Sequence, residues 1–309
     1  MRRRPARLTA ATAAAAALAL VSGVVVAAPA SAQVRPYVLG NSVDESSPEI
    51  TVGRIGVSEA TGGNLTWLGA AAANTHHPDA SRGGRTLAFL RGTYSSSSGE
   101  RVPVTLVIRR DGRAVLARDG LIGPPDVSPD GRDVVFGQGR SVFRWSLVTR
   151  TVTRLWTAPR GQQVETVGAS PDRTRLLVTT IDLASARWRL RLLRLPTGAV
   201  IASRTGGFSD LYARPEWSPG SGAVLVVWHG GSVSPRAVRV SRTGVVSPTA
   251  LRYPLTSFNW RQDGIYALDR IANVVVRTAS SAVAPTLAWL RPGPGRVLDS
   301  IVLVDAPPR

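Results

Sequence analysis

The chain has 309 residues, with 38 basic against 20 acidic side chains, no cysteine, and arginine in place of every lysine. The missing cysteines exclude disulfides, thiolate metal sites and a cysteine nucleophile. A formal charge of +18 is of a size that points to nucleic acid or an anionic surface. However, the arginines are scattered and the acids form no long run, so specific nucleic-acid binding is not expected; loose attraction to an anionic cell-wall polymer or lipid fits the charge better, without being required by it.

At the N-terminus, Arg2, Arg3, Arg4 and Arg7 precede an apolar, alanine-rich stretch from about Ala10 to Ala28. Ala30-Ser31-Ala32 then forms a small-x-small site before Gln33. This is the layout of a signal peptide over residues 1–32, cleaved between Ala32 and Gln33, and it implies a secreted or cell-wall-associated protein. The alternative is an uncleaved anchor, because the stretch is about long enough to span a bilayer. Arg3-Arg4 leaves twin-arginine export open beside the general secretory route, although Pro5-Ala6-Arg7 suit it poorly. The mature chain is expected to be a monomer without a transmembrane span, its charge falling from +18 to +14 once the four signal arginines are lost. Residues 33–49 are expected to be a short lead-in, 50–305 one all-β domain and 306–309 a tail.

Within that domain the first signal is a hairpin, Ile50–Val57 and Asn64–Leu68, about Thr61-Gly62. The clearest unit comes later: DVSPDGRDVVF, Asp126 to Phe136. In Ser128-Pro129-Asp130-Gly131, proline fixes φ, aspartate suits the next position and glycine takes positive φ without steric cost. The apolar run behind it reads as a buried strand. Worn copies occur at Asp79-Ala80-Ser81-Arg82-Gly83-Gly84, at Gly168-Ala169-Ser170-Pro171-Asp172, at Glu216-Trp217-Ser218-Pro219-Gly220, and at Trp260 with Asp263 and Gly264. Between them lie further hairpin turns at Asp111-Gly112, Thr149-Arg150-Thr151, Thr197-Gly198 and Thr243-Gly244. A period in the forties with four short strands per unit is the mark of a β-propeller blade. Trp289 heads a stretched last copy that runs into Ile301–Val304, so the C-terminus is expected to supply inner strands to the N-terminal hairpin. Six blades follow. The short interval between Trp260 and Trp289 leaves five blades, or an irregular ring, as the alternative.

The anchor segments resemble the W-S-P-D-G-[KR] repeat of TolB-like, WD40-like propellers, over roughly Ile50 to Val304. The resemblance implies the fold. The ring takes up nearly all of the expected mature chain, so the N-terminal α/β domain of TolB is not expected, and the Tol-system partnerships are not carried over.

No catalytic pattern accompanies the repeat: there is no Gly-x-Ser-x-Gly elbow, His-Glu-x-x-His pair, P-loop, dinucleotide fingerprint or EF-hand loop. No cofactor or metal is expected. His76-His77-Pro78-Asp79 reads either as a ligand site at the channel mouth or, more plainly, as a loop whose Asp79 caps the anchor turn. Asp126 and Glu216 hold the position equivalent to Asp79. They read either as acid–base groups near the axis or as turn caps. Trp217, Trp260 and Trp289 read as packing between blades. Tight turns share one face of the ring and longer loops the other, where binding residues are expected: His76, His77, Arg160, Gln163, Asp210, Tyr212, Arg214 and Tyr253. The reading is a non-enzymatic exported propeller that binds an envelope or extracellular protein, peptide or glycan through these loops. The alternative is a secreted glycan hydrolase or lyase working from axial carboxylates.

Overall fold

The computed structural model describes residues 37–44, 53–59, 63–68, 74–92, 103–206, 215–228, 236–252, 255–269, 272, 274–279, 282–291 and 296–305. All regular structure among them is β. Four strands come first: β1 (Tyr37–Asp44), β2 (Gly53–Glu59), β3 (Gly63–Asn64) and β4 (Thr66–Trp67). Blade two holds β5 (Thr75–Ala80), β6 (Thr86–Arg91), β7 (Val104–Arg110) and β8 (Arg113–Gly120). Blade three holds β9 (Asp126–Val127), β10 (Asp133–Gln138), β11 (Ser141–Ser146) and β12 (Thr151–Thr157). In blade four are β13 (Gln162–Ala169), β14 (Arg175–Asp182), β15 (Trp188–Arg194) and β16 (Ala199–Gly206). Blade five is β17 (Glu216–Trp217), β18 (Ala223–Trp228), β19 (Arg236–Ser241) and β20 (Val246–Arg252). Blade six is β21 (Leu255–Arg261), β22 (Gly264–Asp269), β23 (Val274–Ala279) and β24 (Ala282–Arg291), and β25 (Arg296–Val304) completes the chain's strands.

Blade one joins both ends of the chain in the order β25-β1-β2-β4. The six-bladed ring expected from the repeat is therefore present, with three differences at its seam. β1 lies inside the region expected as a lead-in and pairs with β25 from Tyr37 opposite Val304 onward, so the C-terminus supplies one inner strand and residues 37–44 the other. The expected outer strand Asn64–Leu68 is split. β4 pairs with β2, while β3 adds in parallel to β24, Gly63 opposite Leu290. Trp289 does not head an anchor; it sits in β24, the fourth strand of blade six, opposite Val274. Blade six thus keeps a full outer hairpin despite its short sequence interval.

The second strands carry the most apolar sequences because both of their faces are covered. Val134 and Phe136 of β10 are fully buried, as are Leu176, Leu177 and Val178 of β14. The core lies between blades rather than inside them. One cluster joins Leu106 and Ile108 of blade two to Val134 and Phe136 of blade three, and another joins Val135 and Val142 to Val164 and Val167 of blade four. Fourth strands such as β8 and β16 are largely exposed.

The recurring serine has a local task. Ser128 Oγ accepts the backbone N–H of Asp133 at 2.9 Å and donates to Asp130 Oδ1 at 2.7 Å. Ser81, Ser170 and Ser218 accept the corresponding amides of Thr86, Arg175 and Ala223. Glycine meets the left-handed position in two copies (Gly84 and Gly131, φ 67° and 68°), and Arg173 and Ser221 take it at 57° in the next two. The tight turns do share a face: Leu147, Leu195 and Arg242 donate their backbone N–H to the carbonyls of Arg132, Thr174 and Gly222, joining second turns to anchor turns.

Two anchor acids make the turns pH-sensitive. Burial opposes the charge of Asp130, but hydrogen bonds from Ser128 and the Arg132 amide, together with Arg173, outweigh it and hold its carboxyl below the usual range. Asp172 is lowered likewise, against burial, by Ser170 and by the Thr174 amide and hydroxyl. A carboxyl depressed in the folded state stabilises above its unfolded value, about pH 4, and that contribution is lost as pH falls through the folded value. The acid limb of a Tm-versus-pH curve should accordingly be shallower in the Asp130→Asn, Asp172→Asn double variant; an unchanged limb contradicts the assignment. At the seam, buried Asn259 donates Nδ2 to Ile301 O at 2.9 Å and accepts from Leu303 N at 3.0 Å. Asn259→Ala removes the side-chain partner of Leu303 N and one of two side-chain donors to Ile301 O, the other being Ser257 Oγ, and should cost about 1–3 kcal/mol, read as a lowered urea midpoint with an unchanged m-value.

Candidate functional site

The inner strands run from the long-loop face to the tight-turn face, and their irregularities cluster toward the long-loop end. β5 is irregular between His76 and Asp79, β13 between Val164 and Thr166, and β21 between Leu255 and Phe258; the β1–β25 ladder shifts register at Asn41/Ser42. Bulges of this kind re-aim side chains and terminate pairing, and they are over-represented near functional sites.

The irregularity in β5 sets the two histidines. His77 is half-buried with φ 48°, and its ring centroid lies 6.2 Å from that of His76. His76 itself is 3% exposed and packs against blade one: a Cβ on Gly53 of β2 would sit 2.2 Å from His76 Nδ1. Gly53 is therefore a close-approach glycine, and its N–H donates to Asn74 Oδ1 at 2.7 Å. The structure places His76 in an interface between blades and His77 at the bulge beside it.

Farther round the ring, Arg160 is exposed in the turn before β13, and half-buried Gln163 pairs opposite Ile181. Asp210, Tyr212, Arg214 and Tyr253 lie outside the described residues, so the long-loop set is only partly placed. Next to Gln163 is a buried polar group absent from the sequence reading. Arg191 of β15 donates to Thr180 Oγ1 at 2.7 Å and to Gln162 Oε1 at 2.8 Å, and its guanidinium lies 5.6 Å from the Trp156 ring centre. Burial, then the charge of Arg189, lowers its pKa. The signal was present as an arginine inside the leucine run Leu190-Arg191-Leu192-Leu193. Glu165, at the bulge of β13, is a further buried acid on an inner strand.

The three acids of the repeat take a role that neither sequence reading assigned. Asp79 Oδ2 accepts the N–H of Val127, Asp126 Oδ2 accepts that of Ala169 at 2.9 Å, and Glu216 Oε1 accepts that of Trp260 at 3.1 Å. Each acid reaches the inner strand of the following blade. Where Gly168 interrupts the series, Trp217 Nε1 of blade five donates back to Gly168 O at 2.8 Å. Among the described residues no cluster of three or more His, Asp or Glu is placed to hold a metal ion, and no helix is long and apolar enough to cross a membrane. Asp126→Ala should cost about 1.5–3 kcal/mol, the range for a hydrogen bond to a charged group, with Asp126→Asn recovering part of it. Chemical denaturation measures both, and a wild-type midpoint in Asp126→Ala would deny the link.

Comparison with known proteins agrees with this architecture. No family model matches the sequence, and no curated protein does. Among solved structures, TolB from Acinetobacter baumannii matches with 13% identity and a TM-score of 0.50, over 83% of this chain and 67% of that one. A chain of a nidogen/laminin complex matches with 14% identity and a TM-score of 0.53, over 87% of this chain and 97% of that one. At such identities the likeness is one of fold, and the chain is a six-bladed β-propeller of the kind found in TolB.

Proposed function

We propose that the chain is an exported, non-enzymatic propeller that binds a protein, peptide or glycan of the cell envelope or its surroundings through the long-loop face. The observation that carries the reading is the division of labour around the axis. The repeat acids, which an axial hydrolase or lyase would need, each bind a backbone amide of the neighbouring blade. The inner strands are irregular toward the long-loop face, next to His77, Arg160 and Gln163. A rigid ring with irregular loops on one face is a scaffold for recognition. One of the similar structures is a chain within a protein complex, nidogen with laminin, which supports such a use of the ring. Export rests on the N-terminal pattern of Arg2 to Ala32.

The test is a pull-down with the tagged chain against envelope extract and isolated wall polymer, at low and high salt. A saturable partner that survives high salt and is lost in Tyr212→Ala, Arg214→Ala supports a specific face. Binding that disappears with salt whatever the loop sequence reduces the interaction to screened attraction between arginines and an anionic polymer, and overturns the specific-binder reading for those ligands.

A further inference from the structure

The repeat position after the ladder acid is tryptophan in two consecutive blades. Trp217 stands opposite Val224 and Trp260 opposite Ile265. Trp217 is 5% exposed and points back at blade four, where its Nε1 meets Gly168 O. In blade four the same position, opposite Leu176, is Ala169. A methyl group stands where the following blades carry an indole, and the space between blades three and four is not filled. A recess of about 100 Å³ remains there. Its mouth lies among tight-turn residues, Pro129, Arg173 and Pro196, on the face opposite the long loops.

The lining has a definite chemistry. Val135, Leu155 and Leu195 supply aliphatic wall. Leu155 is the extra residue of a bulge, lying between Arg154 and Trp156, which pair with adjacent residues of β11. Asp126 holds the Ala169 amide, and Asp133, whose buried Oδ2 makes no hydrogen bond, forms an ion pair with Arg173 Nη1 at 2.5 Å. Arg173 also meets Asp130 at 2.7 Å. Arg144, on β11 opposite Val135, also has a buried Nε without a hydrogen-bond partner, and no ion pair answers it among the described residues. A buried donor left unpaired is costly, and the guanidinium fork matches a carboxylate.

We infer that this recess binds a short branched aliphatic carboxylate, its body against Leu155 and Leu195 and its carboxylate on Arg144. The size agrees: an apolar cavity of about 150 Å³ takes benzene, so a slightly smaller one takes a body of four or five carbons. With Arg173 engaged by Asp130 and Asp133, Arg144 is the cation of the lining without an ion-pair partner and disfavours a cationic ligand, and an uncharged ligand leaves its donor unmet. Two sources carry this chemistry, a free short-chain acid and the C-terminal residue of a peptide.

The experiment titrates the purified chain with 4-methylpentanoate, N-acetyl-leucine and leucinamide, following binding by calorimetry and by chemical-shift change. Both carboxylates should saturate, with leucinamide weaker by about tenfold or more. N-acetyl-leucine binding more tightly than 4-methylpentanoate assigns the site to a chain terminus; the reverse order assigns it to a free acid. Arg144→Gln should weaken the carboxylates by about tenfold while leaving the circular dichroism and Tm of the ring in place. Ala169→Trp should fill the recess and abolish binding; if that variant does not fold, Arg144→Gln decides alone. Failure of both acids to saturate by about 10 mM, a range that reaches affinities weaker than about −4 kcal/mol, overturns the inference and leaves a packing gap. So does equal binding of leucinamide, or wild-type affinity in Arg144→Gln.

Discussion

Apart from the short pairing of β3 with β24, strand pairing runs within the six sheets and does not hold one blade to the next. In this chain a recurring side chain takes up the task at five of the six junctions, placed where the inner strand meets its anchor turn. Asp79, Asp126 and Glu216 accept an amide from the next inner strand, Trp217 donates to the previous one, and Asn259 does both to β25. The junction from blade one to blade two closes through backbone, with Asp305 N donating to Arg82 O at 2.7 Å. A charged acceptor on a backbone amide is stronger than a neutral one, and it is directional. Apolar packing between blades supplies area, while these bonds fix the register in which the blades face each other.

A second tier of links follows from the same geometry. Thr86 Oγ1 donates to Gly131 O, the Asp172 amide donates to Ser221 Oγ, and Arg173 spans to Asp130 and Asp133. These lie on the tight-turn face, which is thereby stitched and regular. The irregularities of the inner strands lie toward the opposite face.

The architecture was legible because turns obey local rules. Ser128-Pro129-Asp130-Gly131 specifies its own conformation, and the buried run behind it specifies a strand, so the blades could be counted from copies of that turn. The seam was read imperfectly for a physical reason: Tyr37–Asp44 becomes a strand by pairing with β25 and β2, and no local turn announces it. Trp289 misled because a tryptophan before Pro-Gly imitates an anchor, whereas its place in β24 is set by pairing with Val274. The links made by Asp79, Asp126 and Glu216 were illegible because a neighbour's amide comes within reach of a carboxylate only through the spacing of the blades. Arg191 and Ala169 were visible as anomalies, a cation among leucines and an alanine in a tryptophan position, but their consequences are three-dimensional.

The claim on which the rest depends is that these junctions couple six blades into one cooperative unit. Hydrogen–deuterium exchange of the chain just below its unfolding transition tests it most directly, by comparing amides of the second strands of blades two to six with those of β1 and β25. The account predicts that they exchange together, with a common opening free energy. Exchange of β1 and β25 at much lower free energy, with blades three to five still protected, would contradict it and describe a row of blades closed only by contact.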